Sequence, residues 1–82
     1  MKIKANVATS DSGFVFNPST GESYSLNPIA SEILGMAKAG KPKDEIITVI
    51  LNKYHVDVAT LEKDFSDFEG MLNHFRLTDN ET

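Results

Sequence analysis

The sequence contains no cysteine. That single absence removes disulfide staples, thiolate metal sites and cysteine nucleophiles. Tryptophan is also missing, and the two histidines, His55 and His74, stand 19 residues apart. That separation matches none of the short spacings that bring two imidazoles to one metal. The five glycines, at positions 13, 21, 35, 40 and 70, form neither a G-x-x-x-x-G-K nor a G-x-G-x-x-G phosphate cradle. No serine lies in G-x-S-x-G or S-x-x-K. Asp64, Asp67 and Glu69 scatter around a helical wheel and do not alternate around a glycine as calcium ligands do. These absences leave no catalytic residue, no metal and no cofactor to assign. No apolar run approaches the ~20 residues of a membrane span. The opening MKIKANVATS lacks a signal-peptide core, so the cytoplasm is the expected compartment.

What is present fits one small domain of 82 residues and 9.0 kDa, 40% hydrophobic and 24% charged. The expected domain covers residues 1–78, with 79–82 as a frayed tail. Twelve acids outweigh eight bases, for a net charge of −4. The imbalance is local: residues 1–27 are neutral, residues 28–54 sum to +1, and residues 55–82 sum to −5.

The first third reads as strands. Ile3, Ala5 and Val7 alternate with polar neighbours at a period of two. Asp11-Ser12-Gly13 is a turn cluster, Phe14-Val15-Phe16 a second strand, and Asn17-Pro18-Ser19-Thr20-Gly21 a hairpin loop. Ser23 to Leu26 alternate again. Helices follow. Asn27 is a capping residue before Pro28 at the first helical position, and Ile29, Ile33, Met36 and Ala37 share a stripe that stops near Gly40 and Pro42. A second helix starts near Lys43, with Ile46, Ile47, Ile50, Leu51 and Tyr54 on one face. Asp57 opens a third, where Val58, Leu61, Phe65, Phe68 and Leu72 step by three and four. Strands followed by helices predict an α+β fold, a three-stranded antiparallel sheet with three helices on one side.

The short link from Tyr54 to Asp57 suits a helix-turn-helix arrangement, and a regulatory or protein-interaction domain of that type is the alternative reading. Its last helix carries Asp57, Glu62, Asp64, Asp67 and Glu69 against Lys63. Duplex binding depends on basic side chains that neutralise phosphates, so nucleic acid is not an expected partner. The same helix has an apolar arc about 140° wide, beyond the ~100° of a core-facing stripe. One edge of that arc can line a groove. A three-stranded sheet also has free edges that accept an extended peptide, or a second copy of the chain in an edge-paired homodimer. The strongest stripes predict that Phe65 and Phe68 are buried together with Ile33 and Ile50.

Residues 13–34, GFVFNPSTGESYSLNPIASEIL, resemble the signature of the PqqD family, named for pyrroloquinoline quinone biosynthesis protein D. There a strand, turn and strand lead into L-N-x-x-A-x-x-I-L, matched here by Leu26, Asn27, Ala30, Ile33 and Leu34. The later KPKDEIITVILNKYHVDVATLEKDFSDFEGML is similar to the family's "Y-x-V" and long-helix pattern, and the resemblance spans roughly residues 3–77. It implies a winged-helix-like domain that binds the leader of a ribosomally made precursor peptide and presents it to a modifying enzyme of the radical S-adenosylmethionine type. The pathway would be that of pyrroloquinoline quinone or a related peptide natural product. By the same resemblance the peptide-binding positions are Glu22, Ser23, Tyr24, Ser25 and Leu26 on the third strand, with Leu61, Asp64, Phe65 and Phe68 on the third helix.

Overall fold

The computed structural model describes residues 2–10 and 12–79. In chain order these form β1 (Ala8–Thr9), β2 (Phe14–Asn17), β3 (Glu22–Ser25), α1 (Pro28–Lys38), α2 (Lys43–Lys53) and α3 (Val58–His74). The strands make one antiparallel sheet in the order β1-β2-β3, followed by the three helices, so the fold is the expected α+β arrangement.

The first strand is the main departure. Residues 2–7 do not run as one strand. Ile3 makes an isolated bridge to Thr78, with the Lys4 N–H donating to the Leu77 carbonyl at 2.9 Å and the Asp79 N–H to the Lys2 carbonyl at 2.8 Å. The chain then turns, closed by the Val7 N–H on the Lys4 carbonyl, and β1 is only two residues long. Ile3 and Val7 are buried while Ala5 is exposed, so a turn satisfies the same pair of apolar residues that alternation suggested. The C-terminal segment competes for the backbone of residues 2–4 and wins it. The Asp79 backbone is thus hydrogen-bonded to that of Lys2; residues 80–82 of the expected tail, like Asp11 of the expected turn cluster, lie outside the described residues.

Backbone chemistry fixes the hairpin. Gly13 has φ +90°, and a Cβ there would meet the Leu26 carbonyl oxygen at 2.8 Å, so only glycine fits this approach. Its own carbonyl accepts the Leu26 N–H at 2.7 Å. Asn17 is buried and hydrogen-bonded at both ends of its side-chain amide: its Oδ1 accepts the Ser19 N–H at 3.0 Å, its Nδ2 donates to the Phe75 carbonyl at 3.5 Å, and its backbone carbonyl accepts the Gly21 N–H at 2.8 Å. One side chain thus shapes the loop and ties it to the end of α3, the satisfaction a buried amide requires.

The helix boundaries follow their caps. The Asn27 side chain accepts the Ala30 N–H at 2.8 Å, and Asp57 accepts the Thr60 N–H at 3.1 Å. Each satisfies a donor that the first turn leaves unpaired. At the end of α1, the Lys41 N–H reaches the Met36 carbonyl and the Gly40 N–H the Ala37 carbonyl, with Gly40 at φ +86°; this is a Schellman ending. The end of α3 makes the same pair of bonds through Leu77 and Arg76, with Arg76 in the left-handed position at φ 59°.

The core joins Val7 and Val15 from the sheet side to Ile33 and Leu34, Ile46 and Ile50, and Leu61, Phe65 and Leu72 from the helices, with Leu77 closing it. Ile33, Ile50 and Phe65 are buried as expected, but Phe68 is only half-buried. Val58, at the edge of the apolar arc of α3, is 48% exposed. The arc is therefore wider than the stripe the core uses.

Glu32 of α1 ties that helix to the end of α2. It accepts from Lys53 at 2.6 Å and from the Tyr54 hydroxyl. The Lys53 hydrogen bond, followed by that of Tyr54, holds the Glu32 carboxyl below the usual carboxylate range. The same contacts raise Lys53 and Tyr54. A carboxyl depressed in the folded state adds stability above its unfolded pKa and loses it as pH falls through the folded one. Glu32→Gln is therefore expected to lower the melting temperature slightly at neutral pH, since the pair is solvent-facing. The difference from wild type should close as the solution is acidified below the carboxylate range. A gap that stays constant through a pH series of thermal melts would show that the carboxylate's charge is not what joins the helices.

Candidate functional site

β3 is the last strand of the described sheet, so one of its edges carries no strand. In an antiparallel ladder, hydrogen-bonded and non-hydrogen-bonded pairs alternate. The Leu26 N–H bonds inward to Gly13, and the register pairs Val15 with Tyr24 and Phe14 with Ser25. Leu26 and Tyr24 are therefore the inward-bonding positions. The N–H and C=O groups of Ser23 and Ser25 point out from the free edge, a ready template for another strand.

The side chains of β3 divide by the same alternation. Tyr24 turns to the helix side, where it is half-buried and stacks on Phe75 with ring centroids 4.5 Å apart. Its hydroxyl is buried without a hydrogen-bond partner among the described residues. Burial first, and then the nearby Glu22 carboxylate, raises the phenol above its ordinary pKa. Glu22, Ser23 and Ser25 are exposed.

Two residues beyond Ser25, Asn27 begins an apolar groove of about 360 Å³. Ile29, Ala30 and Ile33 of α1 form one wall, and Thr60, Leu61, Asp64 and Phe68 of α3 the other, with Val56 from the link between α2 and α3. Helical spacing brings each set to one side, since residues three and four apart share a face. Among the described residues, Asp64 is the only charged one lining it. Edge and groove are thus adjacent along the chain, and the Tyr24–Phe75 stack keeps β3 against the far end of α3.

Of the nine residues singled out in the sequence, Leu61, Asp64 and Phe68 meet in this groove. Phe65 does not. It is 0% exposed and faces the core, because its place on the wheel falls in the centre of the buried stripe. Glu22 to Ser25 form the edge strand, while Leu26 borders a separate concavity of about 350 Å³ with Pro28 and Glu32. Asn27, Ile29, Ala30, Ile33, Val56 and Thr60 also line the groove, beyond the residues the sequence singles out. The i, i+4 spacing of Ile29 and Ile33 was visible, but such a pair reads first as core. His55 and His74 are exposed, and no three potential metal-ligating residues cluster among the described residues. No helix among them is long and apolar enough to cross a membrane.

The family model described as Coenzyme PQQ synthesis protein D (PqqD) matches residues 13–74. The solved structure of TbiB1 in complex with the TbiA(beta) leader peptide superposes with a TM-score of 0.87 at 29% identity, covering 100% of this chain and 99% of that one. A lasso peptide synthetase B1 complexed with its leader peptide shares the fold at a TM-score of 0.80 and 20% identity, over 96% of each chain. No curated protein matches the sequence.

Proposed function

We infer, for a chain that belongs to the PqqD family, a function by binding: it holds the leader of a ribosomally made precursor peptide and presents it to a separate modifying enzyme. One observation carries this reading. The outward backbone groups of Ser23 and Ser25 stand beside an apolar groove reached within two residues of the same chain. The likeness to TbiB1, solved with a leader peptide, supports it.

An extended leader hydrogen-bonded to Ser23 and Ser25 gains its register from the backbone. Alternate side chains then enter the groove between Ile29, Ile33, Leu61 and Phe68. Glu22 and Tyr24 flank the seat, and Leu26 leads from it into α1. Phe65 supports α3 from below without touching the peptide. Main-chain bonds impose no sequence choice, so the groove side chains set specificity. The leader becomes ordered as it binds, which costs several kcal/mol of contact energy. Affinity on the order of micromolar follows.

In this reading the chain supplies no catalytic group. The enzyme that receives the leader is of the radical S-adenosylmethionine type, and both act in the cytoplasm, where the precursor is translated. The pathway leads to pyrroloquinoline quinone or a related peptide product. The edge that takes the leader is also the edge through which two copies would pair, so leader binding displaces such a dimer.

Calorimetric titration with a synthetic leader, encoded beside this gene, tests the function. The leader is expected to bind with an affinity on the order of micromolar, and a scrambled peptide of the same composition is not. Equal heats from both peptides would refute it.

A further inference from the structure

Phe14 and Phe16 lie on the face of the sheet turned away from the helices, 52% and 43% exposed. Val15 between them is buried, as the period of two requires. The other large exposed apolar residues, Val49 and Val58, sit singly on α2 and α3. Phe14 and Phe16 instead share one face of β2, two residues apart, and exposed apolar side chains grouped on a small domain mark a surface that something covers.

The register shows where that cover comes from. Phe14 is opposite Ser25, and Phe16 is opposite Ser23. These are the non-hydrogen-bonded pairs, in which facing side chains approach most closely. Both neighbours toward the free edge are therefore serines, whose side chains end at the first heavy atom beyond Cβ. The outer surface steps down from two rings to two hydroxymethyl groups and then to the open edge. A strand added at that edge places the residues beside Ser23 and Ser25 on this same outer face. It lies about two strand spacings, roughly 10 Å, from β2. Aromatic and long side chains reach neighbours ~7–8 Å away across a sheet, so large side chains on the two outer strands lean toward each other over an intervening serine.

We propose that Phe14 and Phe16 form a second recognition surface for the leader, taking two large apolar leader residues that sit two positions apart and fold over Ser23 and Ser25. This rests on the strand-addition reading above. It adds that the leader is gripped on both faces, its alternate residues going to the groove and to this shelf. The preferred substrate class is accordingly a leader segment apolar on both faces of its strand, rather than one with a polar outer face. Phe16 also neighbours Ala8 of β1, but both rings adjoin the β3 edge through serines, and that edge is the one that leads into the groove, which favours the leader as the occupant.

The experiment is a double-mutant cycle. Phe14→Ser/Phe16→Ser changes two exposed side chains, and circular dichroism and thermal melting check that the domain remains folded. The synthetic leader is titrated into wild type and variant, both as the natural sequence and with alanine at its outward positions. The expected result is about tenfold weaker binding to the variant, with alanine in the leader costing affinity against wild type and nothing against the variant. Equal binding to both proteins overturns the shelf while leaving strand addition standing. If the leader binds neither protein, the reading beneath the proposal fails. If the variant changes only self-association, measured by sedimentation without peptide, the rings belong to a second copy and the proposal is wrong.

Discussion

Phe65→Ala is expected to lower the unfolding free energy by about 3–5 kcal/mol, the usual cost of removing a buried phenyl ring and leaving a cavity. Phe65 has no exposed surface. It belongs to the core cluster that joins Ile33 of α1, Ile50 of α2 and Leu72 of α3. The Lys43 ammonium lies 5.4 Å from its ring centre, adding a weak cation–π contact. Whole domains are stable by only ~5–15 kcal/mol, and one of this size sits low in that range because its core is thin. The variant should therefore be partly unfolded near body temperature. Chemical denaturation followed by circular dichroism is the check. An unchanged midpoint would mean that the core is not organised around α3 as described. Phe68→Ala makes the contrast, because Phe68 is half-buried and borders the groove. It should lose less stability.

Ser25→Pro is expected to abolish leader binding while the domain stays folded. Proline removes one backbone donor, and the alternation of the β2–β3 ladder turns the Ser25 N–H away from β2. No internal hydrogen bond is lost, so the substitution falls in the class that edge strands tolerate. A peptide strand at that edge loses a ladder bond and meets the proline ring. Binding by the variant at wild-type affinity would show that the leader does not use this edge. Collapse of the fold would show that the Ser25 N–H pairs internally and that the alternation is misassigned.

Much of the architecture was legible because local signals and packing agree. Asn27 before Pro28, Gly40 before Pro42 and Asp57 before Val58 each mark a helix end, and each cap is realised. The period-three-and-four stripe of α3 is the clearest pattern in the chain, and its centre is buried. Its width held the rest of the information. Phe65 and Leu72 serve the core, Leu61 is buried and also borders the groove, Phe68 borders the groove, and Phe75 stacks on Tyr24. A helical wheel shows such an arc without dividing it, because the division depends on what packs against each part.

The first strand departs from its alternating pattern for a related reason. Ile3 and Val7 are four apart, which fits both alternation and a turn. The choice was made by residues 77–79, far along the chain, whose backbone pairs with residues 2–4. The α1 wall of the groove was hidden in the same way. Ile33 is buried and also borders the groove, two roles that one apolar letter does not separate. The exposure of Phe14 and Phe16 follows directly from Val15 facing inward. It emerges only when a strand too short for strict alternation to be noticed is set in its sheet.

On this reading a leader peptide joins the sheet at β3 and enters the adjoining groove. Amide chemical-shift mapping during titration with the synthetic leader tests it most directly. The account predicts shifts concentrated in residues 22–26 and in the groove walls, 27–33 and 60–68, with the Ser23 and Ser25 amides newly protected from solvent exchange. Shifts confined to β1 or to the outer surface of α2, with Ser23 and Ser25 still exchanging freely, would contradict it.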